Sequence, residues 1–248
     1  MDSDPGSPPA PKPSRLEKSF VVEQVARVVE WQREYQWLAE LGVVAPQVAH
    51  FKCGTGESTV GLMWAVQATE ATGLDSVPAS LQTAHDRLAQ LQWEMQNIWK
   101  RLRVSDSLPT DEFMWWNDDV PDFLKENLLQ PGFSVDFRPG ALPFNNPLTY
   151  DYFDLAFCDM ALNEIWWDRT REDAENDTRI AIGQMSRIVR PGGHLAAFEW
   201  VEQKFRPYLD YRLLFEQLQL EVIYAKEIRL DNWRGRGQAA GFLCAKVA

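Results

Sequence analysis

Residues 48–75 read VAHFKCGTGESTVGLMWAVQATEATGLD and hold the clearest arrangement for chemistry in the chain. Gly54 and Gly56 flank Thr55 directly after a short apolar run and directly before Glu57. A turn built on glycines lets the backbone approach a ligand closely, and the N–H groups that open a following helix point back at that ligand. About twenty residues further on, Asp75 places a carboxylate where a ribose would present two hydroxyls. The pattern suits a nucleoside-containing cofactor. Two common glycine motifs fit it poorly. Thr59 stands where G-x-G-x-x-G needs its third glycine, and no Lys-Ser or Lys-Thr pair follows the turn as a P-loop requires.

The elements that must hold these residues follow from hydrophobic spacing. A short strand over 48–53, the glycine turn, a helix over 57–68 and a second strand ending on Asp75 make a βαβ unit. Ahead of it, Phe20, Val21, Val25, Val28, Val29, Trp31 and Leu38 recur at mostly helical spacing until Gly42, which predicts one or two N-terminal helices over 15–41. Behind it, Ser76-Val77-Pro78 opens a long helix whose apolar stripe steps by three and four from Leu81 to Leu102 and ends among Lys100, Arg101 and Arg103. Residues 104–132 look like a helical insertion carrying Phe113, Met114, Trp115 and Trp116, with a short helix started by Pro121. Those rings either shape a substrate site or pin the long helix to the body. Strands are predicted over 133–137 and 152–158. A helix then runs through Ile180 to Arg190 into Pro191-Gly192-Gly193, another covers 208–220, and strands over 221–230 and 241–247 close the chain.

Composition narrows the function. A formal net charge of −11 disfavours sequence-independent affinity for phosphate backbones, so nucleic acid is not expected as a partner. Cys53, Cys158 and Cys244 are isolated and odd in number, which points away from a disulfide framework or a zinc site and toward small apolar residues in strands. No stretch reaches the roughly 18 apolar residues of a membrane helix, and the N-terminus lacks the basic-then-apolar order of a signal peptide. A cytoplasmic protein is therefore expected, with a proline-rich disordered tail over 1–14 and one domain over 15–248.

Four short segments share their order with one family. Cys53-Gly54-Thr55-Gly56 matches the end of V-L-D-x-G-C-G-T-G, with His50 in the place of the acid and Lys52 in that of the first glycine. Arg138 to Phe144 (RPGALPF) matches G-D-A-x-x-L-P-F, shortened between Gly140 and Leu142. Tyr152 to Cys158 (YFDLAFC) matches the F-D-x-V strand, and RIVRPGGHL, from Arg187, matches R-x-L-x-P-G-G-x-L. Together they resemble the class I S-adenosylmethionine-dependent methyltransferases, and within them the small-molecule branch. The resemblance implies a Rossmann-like, doubly wound, seven-stranded and mostly parallel α/β sheet with an antiparallel C-terminal hairpin.

It also implies S-adenosylmethionine as cofactor, held by Lys52, Gly54, Thr55, Gly56, Asp75, Ser76, Ala141, Leu142 and Asp159. A small-molecule methyl acceptor is expected near Asp159, Asn163, Glu164 and Trp166, with Glu164 the general-base candidate where the acceptor needs one. No metal is called for. A second reading stays open: a non-catalytic methyltransferase-like protein acting through a protein partner. Homodimerisation is open too.

Overall fold

The computed structural model describes residues 15–104, 119–128, 132–166, 170–200, 208–230 and 238–247. The proline-rich tail and the pair Trp115-Trp116 lie outside these residues. In chain order the elements are α1 (Arg15–Glu40), β1 (Gln47–Phe51), α2 (Glu57–Val66), β2 (Glu70–Asp75), α3 (Pro78–Val104), α4 (Asp122–Asn127), β3 (Ser134–Pro139), β4 (Phe153–Asp159), α5 (Ala161–Ile165), α6 (Arg171–Ile188), β5 (Val189–Trp200), α7 (Tyr208–Gln217), β6 (Glu221–Leu230) and β7 (Gln238–Lys246). The strands form one sheet in the order β3-β2-β1-β4-β5-β7-β6. Strands β1 to β5 are parallel, and β7 runs antiparallel between β5 and β6. The predicted seven-stranded, mostly parallel sheet with its C-terminal hairpin is what the chain adopts. Among the described residues no helix is long and apolar enough to cross a membrane.

Both faces of the sheet are covered, and side chains alternate between them with the period of two that a strand imposes. Val48, Leu155, Phe157, Ala196 and Phe198 join the core under α1, α2 and α3. Their neighbours Ala49, Ala156, Cys158, Leu195 and Ala197 join the core on the α6 and α7 side. Strands buried on both sides read as continuous apolar runs, which explains AFC in β4 and LAAF in β5. The chain moves outward from β1 through β2 to β3, and from β4 to β5 on the other side. The direction reverses between β1 and β4, and such a switch point leaves a crevice outside the carboxyl ends of the strands.

The proline-glycine-glycine segment differs in detail from its sequence reading. The helix before it stops at Ile188, and the segment lies inside β5 as an irregularity between the pairs Phe153–Val189 and Leu155–His194. Gly192 has φ 82°, and a Cβ on Gly193 would stand 2.7 Å from the carbonyl of Asp154. Arg190 forms an ion pair with the buried Asp154, whose carboxylate also accepts from the Gln47 N–H at 2.9 Å. The motif therefore locks β5 against β4 and the start of β1.

Helix α1 crosses α2 at close range because Gly61 has no side chain. A Cβ there would lie 2.6 Å from Cβ of Trp31 and 2.9 Å from the backbone nitrogen of Gln32. Helix propensity alone would make Gly61→Ala stabilising by about 0.5–1 kcal/mol. We expect a net loss of about 1–3 kcal/mol from overpacking instead, read as a lower urea midpoint at unchanged m-value. A gain in stability would contradict the close crossing.

Candidate functional site

The glycine turn is built by a backbone reversal at the end of β1. The strand stops at Phe51 because Lys52 adopts φ 64°, in the left-handed region that lysine rarely visits. Cys53 N–H then donates to Leu74 O on β2 at 2.9 Å, and Gly54 and Gly56 take φ 57° and 92°. The two glycines serve different ends. A Cβ on Gly54 would meet nothing within 4 Å, so its backbone faces open space, whereas one on Gly56 would lie 2.8 Å from the Phe137 ring. Gly54 is available to a ligand, and Gly56 lets the turn seat against β3.

Asp75 closes the turn from the neighbouring strand. One carboxylate oxygen accepts from Gly54 N–H at 2.9 Å and the other from Val77 N–H at 2.8 Å. A cavity of about 630 Å3 opens in front of them, running from Asp75 and Gly54 past Lys52 to Asp159 and Glu164, with Trp31 of α1 on its edge. It lies at the carboxyl ends of β1, β2 and β4, at the switch point.

Of the residues singled out for cofactor binding, Lys52, Gly54, Thr55, Asp75, Ser76 and Asp159 line this cavity. Gly56 sits behind it as the N-cap of α2. Ala141 and Leu142 are not brought to it: Ala141 pairs with Asn145 through two backbone hydrogen bonds, and Leu142 packs on the core of the α6 side. Of the acceptor-side residues, Glu164 lines the cavity. Asn163 is buried and accepts from the Tyr211 hydroxyl at 3.4 Å, while Trp166 donates its indole N–H to Thr178 at 3.0 Å. These two support the site without facing it.

Several contributors had no motif to announce them. The Tyr35 hydroxyl on α1 donates to Asp159 Oδ2 at 2.7 Å in a buried contact, fixing the carboxylate at the end of β4. Glu57, at the first turn of α2, accepts from the Thr55 hydroxyl at 2.6 Å and pairs with Arg87 of α3 and, at 3.6 Å, with Arg27 of α1. One buried carboxylate thus joins three helices around the turn. The only sequence signal for it was an acid at a helix N-terminus. Across the cavity, Lys52 Nζ lies 2.6 Å from Glu164 Oε1 and 3.4 Å from the Met160 carbonyl.

His50, the residue in the place of the motif's acid, is fully buried on β1 and outside the cavity. Its Nδ1 is 3.0 Å from the Thr59 hydroxyl, and its ring lies near Tyr35 and Phe157. The Cys53 thiol borders the cavity, but burial and the Asp75 charge push its pKa up to about 12. A thiolate nucleophile is therefore unavailable there near neutral pH.

Beneath the acceptor side, Glu199 at the end of β5 is almost fully buried and accepts from the N–H groups of Leu162 and Asn163, both at 3.0 Å. Burial pushes its carboxyl up to about 8, with those backbone donors pulling in the opposite direction. Between its ordinary value near 4.5 and about 8 the folded chain retains a proton that the unfolded chain has released. Stability should thus fall as pH rises through that window. Urea midpoints measured from pH 5 to 8 should decline in the wild type, and Glu199→Gln should flatten the decline. Parallel curves for the two would show that Glu199 does not set it.

No family model and no curated protein matches the sequence. Solved structures do match the fold. A methyltransferase of Methanosarcina mazei, described as SAM-dependent, superposes with TM-score 0.55 at 11% identity, covering 82% of this chain and 92% of its own. A SAM-dependent methyltransferase of Aquifex aeolicus superposes with TM-score 0.54 at 12% identity over 94% of this chain and 98% of its own. The N-methyltransferase NodS of Bradyrhizobium japonicum, solved with S-adenosyl-L-homocysteine, superposes with TM-score 0.51 at 13% identity over 88% and 86%. These superpositions span most of each chain, and this chain has the fold of the class I S-adenosylmethionine-dependent methyltransferases.

Proposed function

We propose that this chain is an S-adenosylmethionine-dependent methyltransferase acting on a small-molecule acceptor. The observation that carries the reading is the pairing of an open glycine backbone with a fixed carboxylate. Gly54 faces a cavity of about 630 Å3, and Asp75 stands beside it with both oxygens oriented by backbone N–H groups. The residues fit the cofactor's chemistry. Each Asp75 oxygen keeps acceptor capacity beyond its one backbone bond, enough for a pair of ribose hydroxyls. The cradle at Gly54 is one that a side chain would fill, and the middle of the cavity offers the ammonium of Lys52.

When bound, the cofactor supplies a methyl group on a sulfonium to an acceptor lone pair. The chain's part is position. Asp75 and the glycine turn hold one end, while Asp159, clamped by Tyr35, and Glu164 border the other. Fixing two reactants in line can account for about 7–11 kcal/mol of such a barrier. On this reading Glu164, which lines the cavity, would take the proton where the acceptor has a high pKa.

One feature favours the non-catalytic reading. Lys52 spans the cavity to Glu164 and occupies space where the related motif has glycine. Calorimetry with S-adenosylmethionine, S-adenosylhomocysteine and NAD separates the two. We expect saturable binding of the first two, no binding of NAD, loss of binding in Gly54→Arg, and a weakening of about 1–3 kcal/mol in Asp75→Ala from lost hydrogen bonds to a charged group. Absence of binding by the wild type at millimolar ligand would overturn the methyltransferase reading and leave the non-catalytic one.

A further inference from the structure

Among the described residues, five other than glycine adopt positive φ: Lys52, Gln67, Asp151, Met160 and Gln219. Three have ordinary reasons. Gln67 caps α2 at its C-terminus, Gln219 follows α7, and Asp151 lies in the turn before β4. The other two, Lys52 and Met160, face each other across the cavity, where the lysine ammonium reaches the Met160 carbonyl. A left-handed backbone is costly for a residue with a Cβ and free for glycine. Strain kept at a cavity wall points to a use for the side chain that bears it.

The position of that side chain says what the use is. Lys52 lies between the carboxylate end of the cavity at Asp75 and the acceptor end at Asp159, and among the described residues it forms an ion pair with Glu164. The pair is solvent-accessible, with side-chain exposures of 37% and 61%. Pairs of this kind contribute little and exchange partners at small cost. We propose that Lys52 selects for the carboxylate at the amino-acid end of the cofactor and exchanges Glu164 for that carboxylate on binding. This rests on the cofactor reading above and goes beyond it. It assigns the discriminating contact to a residue in the place of a motif glycine, and it makes Glu164 a competitor for Lys52 when the cavity holds no cofactor. Glu164 is released toward the acceptor side only as the cofactor's carboxylate takes its place.

Calorimetric affinities for S-adenosylhomocysteine and for 5′-methylthioadenosine, which lacks the amino-acid end, test this together with thermal midpoints. Lys52→Gly should raise the thermal midpoint by relieving backbone strain, yet weaken S-adenosylhomocysteine about tenfold and leave 5′-methylthioadenosine unchanged. Glu164→Gln should do the opposite to the first ligand, tightening it by about two- to threefold through removal of the competing carboxylate, again without effect on the second. Equal affinity of wild type and Lys52→Gly for S-adenosylhomocysteine would overturn the proposal while the cofactor reading stood. So would a Glu164→Gln variant weakened as much as Lys52→Gly. Failure of the wild type to bind either ligand would overturn both.

Discussion

The Asp75 carboxylate is the contact on which the site depends. Its two oxygens accept from Gly54 on the β1 turn and from Val77 on the turn into α3, so one ionised group sets the spacing of the two loops that border the cavity. Hydrogen bonds to an ionised acceptor are about twice as strong as neutral ones, and these two are made by backbone, which cannot choose another rotamer. The Cys53-to-Leu74 backbone bond continues the clamp below. A flexible glycine turn is thereby made rigid without filling the space in front of it. The same charge has a secondary effect: it adds to burial, the larger cause, in raising the pKa of the neighbouring Cys53 thiol.

Helix α1 supplies the second constraint, because it joins the two halves of the sheet that meet at the switch point. It rests on α2 at Gly61, reaches the turn through Arg27 and Glu57, and reaches the end of β4 through Tyr35 and Asp159. Trp31, stacked on Tyr35 with ring centroids 5.6 Å apart, brings the same helix to the cavity edge. The N-terminal helix is therefore part of the site. Displacing it would loosen the acceptor side and the cofactor side together.

Much of the fold was legible because it is written in local patterns. Apolar runs marked the strands, three-and-four spacing marked α1 and α3, and glycine or proline marked the turns, so element order and sheet type followed. Boundaries erred where a backbone reversal rather than composition ended the element, as at Lys52 after β1 and in the segment Val189 to Gly193. The turn was legible where a close backbone or a strand-end carboxylate needs a particular residue type, at Gly54 and Asp75, and the resemblance added Lys52, Thr55, Ser76, Asp159 and Glu164 to the residues that line the cavity. Tyr35, Glu57 and Glu199 reach it from separate elements, and nothing in their local sequence records that their partners are Asp159, two arginines and the start of α5. The stretch near Ala141 misled for the converse reason. Its resemblance is to a strand-to-loop junction, and here that junction folds back on Asn145.

The departures from the family's turn do not weigh equally once they are placed. His50 lies among Tyr35, Thr59 and Phe157 inside the core beneath α1, so exchanging an acid for a histidine there alters how α1 and α2 seat on β1 rather than what the cavity offers. The shortened loop at Gly140 to Leu142 lies away from the cavity lining and does not obstruct the space. Lys52 alone is both changed and in contact with the cavity. A position that served no purpose would be expected to relax, yet this lysine holds a left-handed backbone that only glycine adopts freely and directs its charge at a carboxylate. A strained backbone is kept at the one position that both differs from the resembled motif and lines the cavity, and that combination fits an altered contact with a ligand better than the loss of one.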